Sequence, residues 1–385
     1  MPPPLILHCS AMREDHGGIQ SVLAYHLTHD TALGFHPRFV SYFDRASTWS
    51  GDCIALAGHG WETVGSLRRR FAAAAAAHPA DVAIYHDGWG LDWFAPIDNA
   101  ARRVVFLHTE QPNTDALIRH YAPLVDGFLS VSQALADRMH RVAAGFPGER
   151  IRALPYFVDP PAWLETAKPV DAGPGSAWRI GYAGRLRRAH KRLVRLPALI
   201  AALDRRGVDY VFEVLGDGPY EPALRRSLGN HPRVKFLGWR EGRDYWQTLL
   251  SWKVLVLLSD FEGFSRVSSE AMMGGVIPVY PDFSPAAAEL LGPATAAGLY
   301  QVGDMAAAAE RIVGLARLTP EQHATLGAAC RQHLIRLTPE NYFSAYGKYL
   351  NELLALPPHV RPAEPPRWQN LMPLGAYTRL FPERF

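Results

Sequence analysis

Glu262 and Glu270 stand eight positions apart (270 − 262) in Asp260-Phe261-Glu262-Gly263-Phe264-Ser265-Arg266-Val267-Ser268-Ser269-Glu270-Ala271-Met272. The segment follows an apolar run at 253–258 and is expected to open a helix near Phe264. First-turn amides of a helix have no partner inside it, and with the helix dipole they make a site for an anion. Here those amides belong to Gly263, Phe264, Ser265 and Arg266, and Gly263 lets the backbone approach closely. Were every intervening residue helical, eight steps would span ~12 Å. A diphosphate at the helix start would then have a carboxylate towards each side, and carboxylates accept hydrogen bonds from hydroxyls, so a sugar at one end and a ribose at the other fit. Taken alone, the pair has a plainer reading: an acidic first turn favoured by the dipole, with Glu270 solvated.

Basic groups accompany the pair. Ile180-Gly181-Tyr182-Ala183-Gly184-Arg185-Leu186 ends a strand and leads through Arg187, Arg188 and His190 to Lys191. Arg185 offers a planar fork for phosphate oxygens and Lys191 a point charge, whereas Arg187, Arg188 and Arg192 read as solvated loop charges. Gly216-Asp217-Gly218-Pro219 closes the next strand in a tight, mainly architectural turn. Near the start, Asp15-His16-Gly17-Gly18-Ile19 opens the first helix. The Gly17-Gly18 pair permits close approach of a ligand but is no G-x-G-x-x-G fingerprint.

The elements that must carry these residues are written in the alternation of short apolar runs with longer helical stretches. Runs at 5–7, 38–40, 81–85, 103–107 and 127–131 are followed, after the small, flexible stretch 171–177, by runs at 178–182, 210–215, 233–237, 253–258 and 275–279. Strands apolar at nearly every position suit parallel sheets covered on both faces. The expected architecture is two doubly wound α/β domains with a ligand cleft between them. The chain of 385 residues, 48% hydrophobic and 20% charged, suffices for two domains and excludes a disordered protein. A net charge of +3 is too weak to imply nucleic acid. Cys9, Cys53 and Cys330 are few, distant and odd in number, so neither a disulfide framework nor a zinc site is expected. No run reaches the ~20 apolar residues of a membrane helix and the start has no signal-peptide pattern. A cytoplasmic protein is expected.

In combination these residues resemble the retaining nucleotide-sugar glycosyltransferases of the GT-B fold, glycosyltransferase family 4. The resemblance rests on Gly17-Gly18, His108 at a strand end, Ser130-Val131-Ser132, Gly184-Arg185-Leu186 with Lys191, Gly216-Asp217-Gly218-Pro219, Phe236-Leu237-Gly238, and Glu262 and Glu270 in E-x7-E spacing with Ala271-Met272 and Gly275. It covers roughly residues 1–350. It implies an acceptor-side domain over 1–170, a linker at 171–177, a donor domain over 178–340, and a final helix and tail, 341–385, returning to the first domain. By the same resemblance Arg185 and Lys191 bind the donor diphosphate and stabilise the leaving group. Glu262 holds a donor-sugar hydroxyl and Glu270 the ribose. Amides of Gly263, Phe264 and Ser265 meet phosphates or sugar, Gly184 and Gly216 line the donor site, and Gly17-Gly18 approaches from the first domain. His108 lies near the transferred sugar, with His16 and His86 as weaker candidates. The sequence departs from the family in the six-residue spacing from Arg185 to Lys191, in His190-Lys191-Arg192, in Pro155-Tyr156-Phe157-Val158-Asp159 and at Ser265.

The implied reaction moves a hexose-type sugar from a nucleoside-diphosphate sugar to a saccharide or lipid-linked acceptor with retention. Front-face substitution follows, the leaving phosphate taking the acceptor's proton while the protein orients and supplies fixed positive charge. No Asp-x-Asp pair ends a strand, so metal independence is expected, with no cofactor beyond the donor. Leu67-Arg68-Arg69-Arg70-Phe71 suggests peripheral contact with an anionic membrane, and an ordinary solvated helix face serves equally. The competing readings are a sugar-nucleotide epimerase or hydrolase on the same fold and a non-catalytic nucleotide-binding subunit.

Overall fold

The computed structural model describes residues 2–11, 18–44, 53–95, 97–166, 178–188, 191–359, 372–373 and 376. Gly17, His16, His190 and the expected linker 171–177 lie outside them. The chain divides into two compact units, one of Met1–Tyr156 with Glu340–Phe385, the other of Phe157–Pro339.

In the first unit, β1 (Leu5–Ser10), β2 (His36–Ser41), β3 (Cys53–Ala55), β4 (Val82–His86), β5 (Arg102–Leu107), β6 (Gly127–Ser130) and β7 (Ile151–Ala153) form one parallel sheet among the described residues, in the order β3-β2-β1-β4-β5-β6-β7. The chain builds outward from β1 to β3, then returns to the other side of β1 and builds outward again. The second unit repeats this plan with β8 (Trp178–Ala183), β9 (Tyr210–Leu215), β10 (Val234–Gly238), β11 (Val254–Val256), β12 (Ile277–Asp282) and β13 (Leu299–Gln301), ordered β10-β9-β8-β11-β12-β13 and all parallel. Each sheet thus has a topological switch point, between β1 and β4 and between β8 and β11. There the loops leaving the strands' carboxyl ends diverge, which is where open α/β sheets place their ligands.

The strands read as expected from a sheet buried on both faces. All six residues of β5 are buried, as are all five of β4. Each fully buried large apolar side chain contributes about 1.5–3 kcal/mol. Helix boundaries follow local chemistry. Ser132 caps Gln133–Val142 by accepting from the Leu135 amide, and Thr319 with Gln322 forms a capping box at the start of Pro320–Leu334. The last long helix, Pro339–Ala355, belongs to the first unit, where Tyr349 donates to the Arg150 carbonyl and the Arg102 guanidinium donates to the carbonyls of Leu353, Leu354 and Leu356. Within Val64–Ala77, Leu67 and Phe71 are fully buried and Arg70 grips both oxygens of Glu62 at 2.5 and 2.7 Å. The apolar part of the stretch expected to meet a membrane is therefore committed to the core. Among the described residues no helix is long and apolar enough to cross a membrane.

Candidate functional site

At the second unit's switch point, β8 ends at Ala183 and runs into Gly184-Arg185, while the chain leaving β11 reaches Ser259–Glu262. The two loops meet through charge. The Lys191 ammonium lies 2.7 and 2.9 Å from the two carboxylate oxygens of Glu262, and Ser259 Oγ donates to Glu262 Oε1 at 2.5 Å. Glu262 is nearly buried, at 9% exposure, and a carboxylate taken from water in this way needs such partners. The basic loop sorts its cations sharply. Arg192, at a left-handed φ of 47°, turns its guanidinium to Asp260, which also receives Arg195 at 2.6 Å. These two arginines hold the Asp260 carboxyl below its ordinary value against the opposing effect of burial. Of Lys191 and Arg192, it is Lys191 that faces the Glu262 carboxylate.

The glycine turns bring backbone to backbone. Gly184, Gly216 and Gly218 have φ of 141°, 130° and 149°. A Cβ on Gly216 would strike the Gly184 carbonyl oxygen, and one on Gly218 would come within 2.6 Å of the Leu186 carbonyl oxygen. The Leu186 amide donates to Asp217 O at 2.6 Å, closing the two loops on each other, and the Tyr182 hydroxyl donates to the Arg185 carbonyl. Burial, with the nearby Glu262 charge, raises the Tyr182 phenol far above its usual value, so it stays a donor.

The helix after Glu262 departs from the sequence reading. It runs Arg266–Met273, not from Phe264, with Ser265 as N-cap. The reason is local: Ser265 has extended backbone, and its Oγ and carbonyl both receive the Ser268 amide. Gly263 and Phe264 therefore precede the helix, and only five of the residues up to Glu270 are helical (266–270). Glu270 is half-buried and partnered rather than a free surface carboxylate. Its Oε2 accepts the Tyr245 hydroxyl at 2.5 Å and its Oε1 lies 3.4 Å from Arg266. Burial raises its pKa, partly offset by Arg266 and the Tyr245 hydrogen bond.

In the first unit, Gly18 begins the helix Gly18–Ala32, and His108 follows β5. The His108 ring is buried and engaged at both nitrogens: Nδ1 is 2.5 Å from the Tyr156 hydroxyl and Nε2 is 2.7 Å from His86 Nδ1. The series continues inward, from His86 Nε2 to His8 Nδ1 at 3.1 Å and from His8 Nε2 to Asp30 Oδ2 at 3.0 Å. Asp30 Oδ1 meets His26 Nδ1 at 2.8 Å, and His26 Nε2 meets the Tyr342 hydroxyl at 3.2 Å. Sheet register explains the alignment. His8 is level with Ile84 on β4 and His86 with Phe106 on β5, so His86 and then His108 each lie two residues further along, on the same face. His8, His26 and Asp30 were not singled out in the sequence, although His26 and Asp30 have i,i+4 helix spacing. Their donor atoms lie within 4.8 Å of one another, a spacing that also suits metal ligands. Asp87, at φ 53°, accepts the His108 amide at 2.6 Å, and burial pushes its pKa up to about 7.

Residues 177–317 match the family model described as Glycosyl transferases group 1. No curated protein matches the chain significantly. Solved structures do. The sucrose-phosphate synthase of Thermosynechococcus elongatus is 17% identical with a TM-score of 0.72 over 91% of this chain and 99% of its own. Anabaena HepE in complex with UDP and glucose is 18% identical, TM-score 0.69, over 91% and 100%. The pneumococcal O-GlcNAc transferase GtfA in complex with UDP and GlcNAc is 12% identical, TM-score 0.69, over 92% and 99%. At these identities the likeness is one of fold, and the fold is GT-B.

Proposed function

We propose that this chain, a GT-B protein whose residues 177–317 carry a group 1 glycosyl transferase domain, is a retaining glycosyltransferase using a nucleoside-diphosphate hexose. The observation that carries the reading is the Lys191–Glu262 pair at the β8/β11 switch point, one helix start away from the half-buried Glu270. A cation for phosphate and a carboxylate for a sugar hydroxyl thus stand on neighbouring loops of one unit, with a second carboxylate for the ribose on the helix that follows. In this reading Lys191 turns from Glu262 to the donor diphosphate with Arg185, and Glu262, released from one partner, takes a sugar hydroxyl. Gly184 and Gly216 allow the donor to approach the backbone, and Gly263, Phe264 and Ser265 line the approach to the helix. Glu270, fixed by Tyr245, receives the ribose.

Positive charge from Arg185 and Lys191 stabilises the leaving diphosphate, which takes the acceptor's proton as the new glycosidic bond forms on the same face. The proposal includes independence of metal ions, and activity abolished by EDTA and restored by magnesium would overturn it. The acceptor class proposed is a saccharide or lipid-linked saccharide, by family likeness. The same likeness suggests family 4 and a cytoplasmic setting.

Thermal stabilisation by a panel of nucleoside diphosphates and their sugars tests the donor assignment, because a ligand raises native stability as ln(1 + [L]/Kd). UDP comes first, since it is bound in two of the similar structures. A selective shift that is lost in Arg185→Ala is expected. No shift with any member at millimolar concentration would sink the reading and bring the non-catalytic subunit forward.

A further inference from the structure

The hydrogen bonds from Asp30 to Tyr156 link five side chains through the buried side of the first sheet, across the switch point between β1 and β4. Asp30, His8, His86, His108 and Tyr156 are all buried. Burial with the neighbouring histidines holds His86 and His108 well below the ordinary imidazole value. His8 is also lowered by burial, against its bond to Asp30. Burial would raise Asp30, but interaction with His26 and hydrogen bonds from His26 and His8 hold it below the carboxylate range. The series is therefore one carboxylate followed by three neutral rings and a phenol.

A carboxylate only accepts, whereas a neutral imidazole has one N–H and one bare nitrogen. The His8 nitrogen facing Asp30, Nε2, must carry its hydrogen, which leaves Nδ1 bare. His86 must then donate from Nε2, and its own bare Nδ1 requires a hydrogen from His108 Nε2. The bare His108 Nδ1 in turn takes the Tyr156 hydrogen. We propose that Asp30 is a positioning residue which, through these four successive bonds, fixes His8, His86 and His108 as Nε2–H tautomers and leaves the Tyr156 oxygen, beyond the carboxyl end of β7, purely an acceptor.

Any further group that meets the Tyr156 oxygen must then donate to it, as a neutral sugar hydroxyl can, and in this respect the inference rests on the function proposed above. The other polar groups facing the series are consistent with it. Tyr346 donates to Asp30 Oδ2 at 3.3 Å, Tyr342 lies against His26 Nε2, and Asp87 receives the His108 backbone amide, leaving the ring free to follow His86. A divalent ion held by His8, His26 and Asp30 would dictate the opposite. With His8 Nε2 bound to metal, the hydrogen moves to Nδ1, every ring follows as Nδ1–H, and Tyr156 must donate outward.

The two polarities are separable by long-range 1H–15N correlation spectra of the full chain labelled at histidine, with Asp30→Asn alongside and elemental analysis of the protein as purified. The expected result is Nε2–H at all three rings, no stoichiometric metal, and mixed tautomers reaching as far as His108 in the variant. Nδ1–H at His108, a His108 signal indifferent to Asp30→Asn, or one bound metal per chain would overturn the inference. Should Asp30→Asn lose its near-UV circular dichroism, Tyr156→Phe reads the series from its other end. There His108 should keep Nε2–H while its Nδ1 resonance moves to that of an unbonded nitrogen, and an unmoved resonance counts against the proposal. None of these measurements needs a donor, so a failed ligand panel leaves them interpretable, and reversed tautomers leave the donor site untouched.

Discussion

Lys191 and Glu262, 71 residues apart in sequence, are bound to each other through both carboxylate oxygens. Each of the two groups proposed to hold the donor is the other's partner when no donor is bound. Lys191→Ala leaves Glu262 nearly buried with Ser259 as its remaining partner, and is expected to lower stability by about 1–3 kcal/mol. Adding Glu262→Gln should recover part of that loss. A double-mutant cycle by urea denaturation measures the coupling, and additive effects would show that the pair is energetically idle.

Glu270 should matter for binding far more than for folding. Glu270→Gln is expected to weaken the best nucleoside diphosphate about 10- to 100-fold, the worth of a hydrogen bond to a charged group, measured by calorimetry. Because burial raises the pKa of this carboxyl, affinity should begin to fall at a higher pH than an ordinary glutamate would require. Tyr245→Phe removes a hydrogen bond to the carboxylate and should move that fall higher still.

Asp87 makes stability depend on pH in a defined direction. Its folded pKa of about 7 lies above the unfolded value of about 3.9, so the folded state holds the proton more tightly. The resulting contribution is fully present below about pH 4 and is lost as pH rises through about 7. Asp87→Asn keeps a residue tolerant of the left-handed backbone and should remove this slope. Denaturation midpoints at several pH values, taken as the difference between variant and parent, isolate the effect from the buried histidines.

Gly216→Ala tests the closeness of the two glycine turns. The new methyl meets the Gly184 carbonyl at a backbone angle that disfavours side chains, with an expected loss of about 1–3 kcal/mol. At roughly 2–4 °C per kcal/mol for a unit of this size, the shift is measurable by calorimetry. An unchanged Tm would mean the loops separate freely.

Much of this arrangement was legible from sequence because the long central strands are continuous apolar runs. The strands that escaped notice, β3, β7 and β13, are three residues each and lie at sheet edges, where few apolar positions are required. At the proposed donor site the helix start was not readable, since Ser265 takes the Ser268 amide by a side-chain hydrogen bond that residue type alone does not reveal. The histidine series was the least visible part. His8, His86 and His108 are aligned by register between three strands, and register is a property of pairing rather than of any one segment.

The first unit is assembled from two distant pieces of chain, while the second is continuous. A ribosome delivers residues 2–156 early, yet Tyr346, which donates to Asp30, and the carbonyls that receive Arg102 emerge only after the whole of the second unit. During synthesis, then, the later-made half is the first able to complete its native contacts, and the earlier-made half waits, with Asp30 and Arg102 short of partners, for residues 346–356 to emerge.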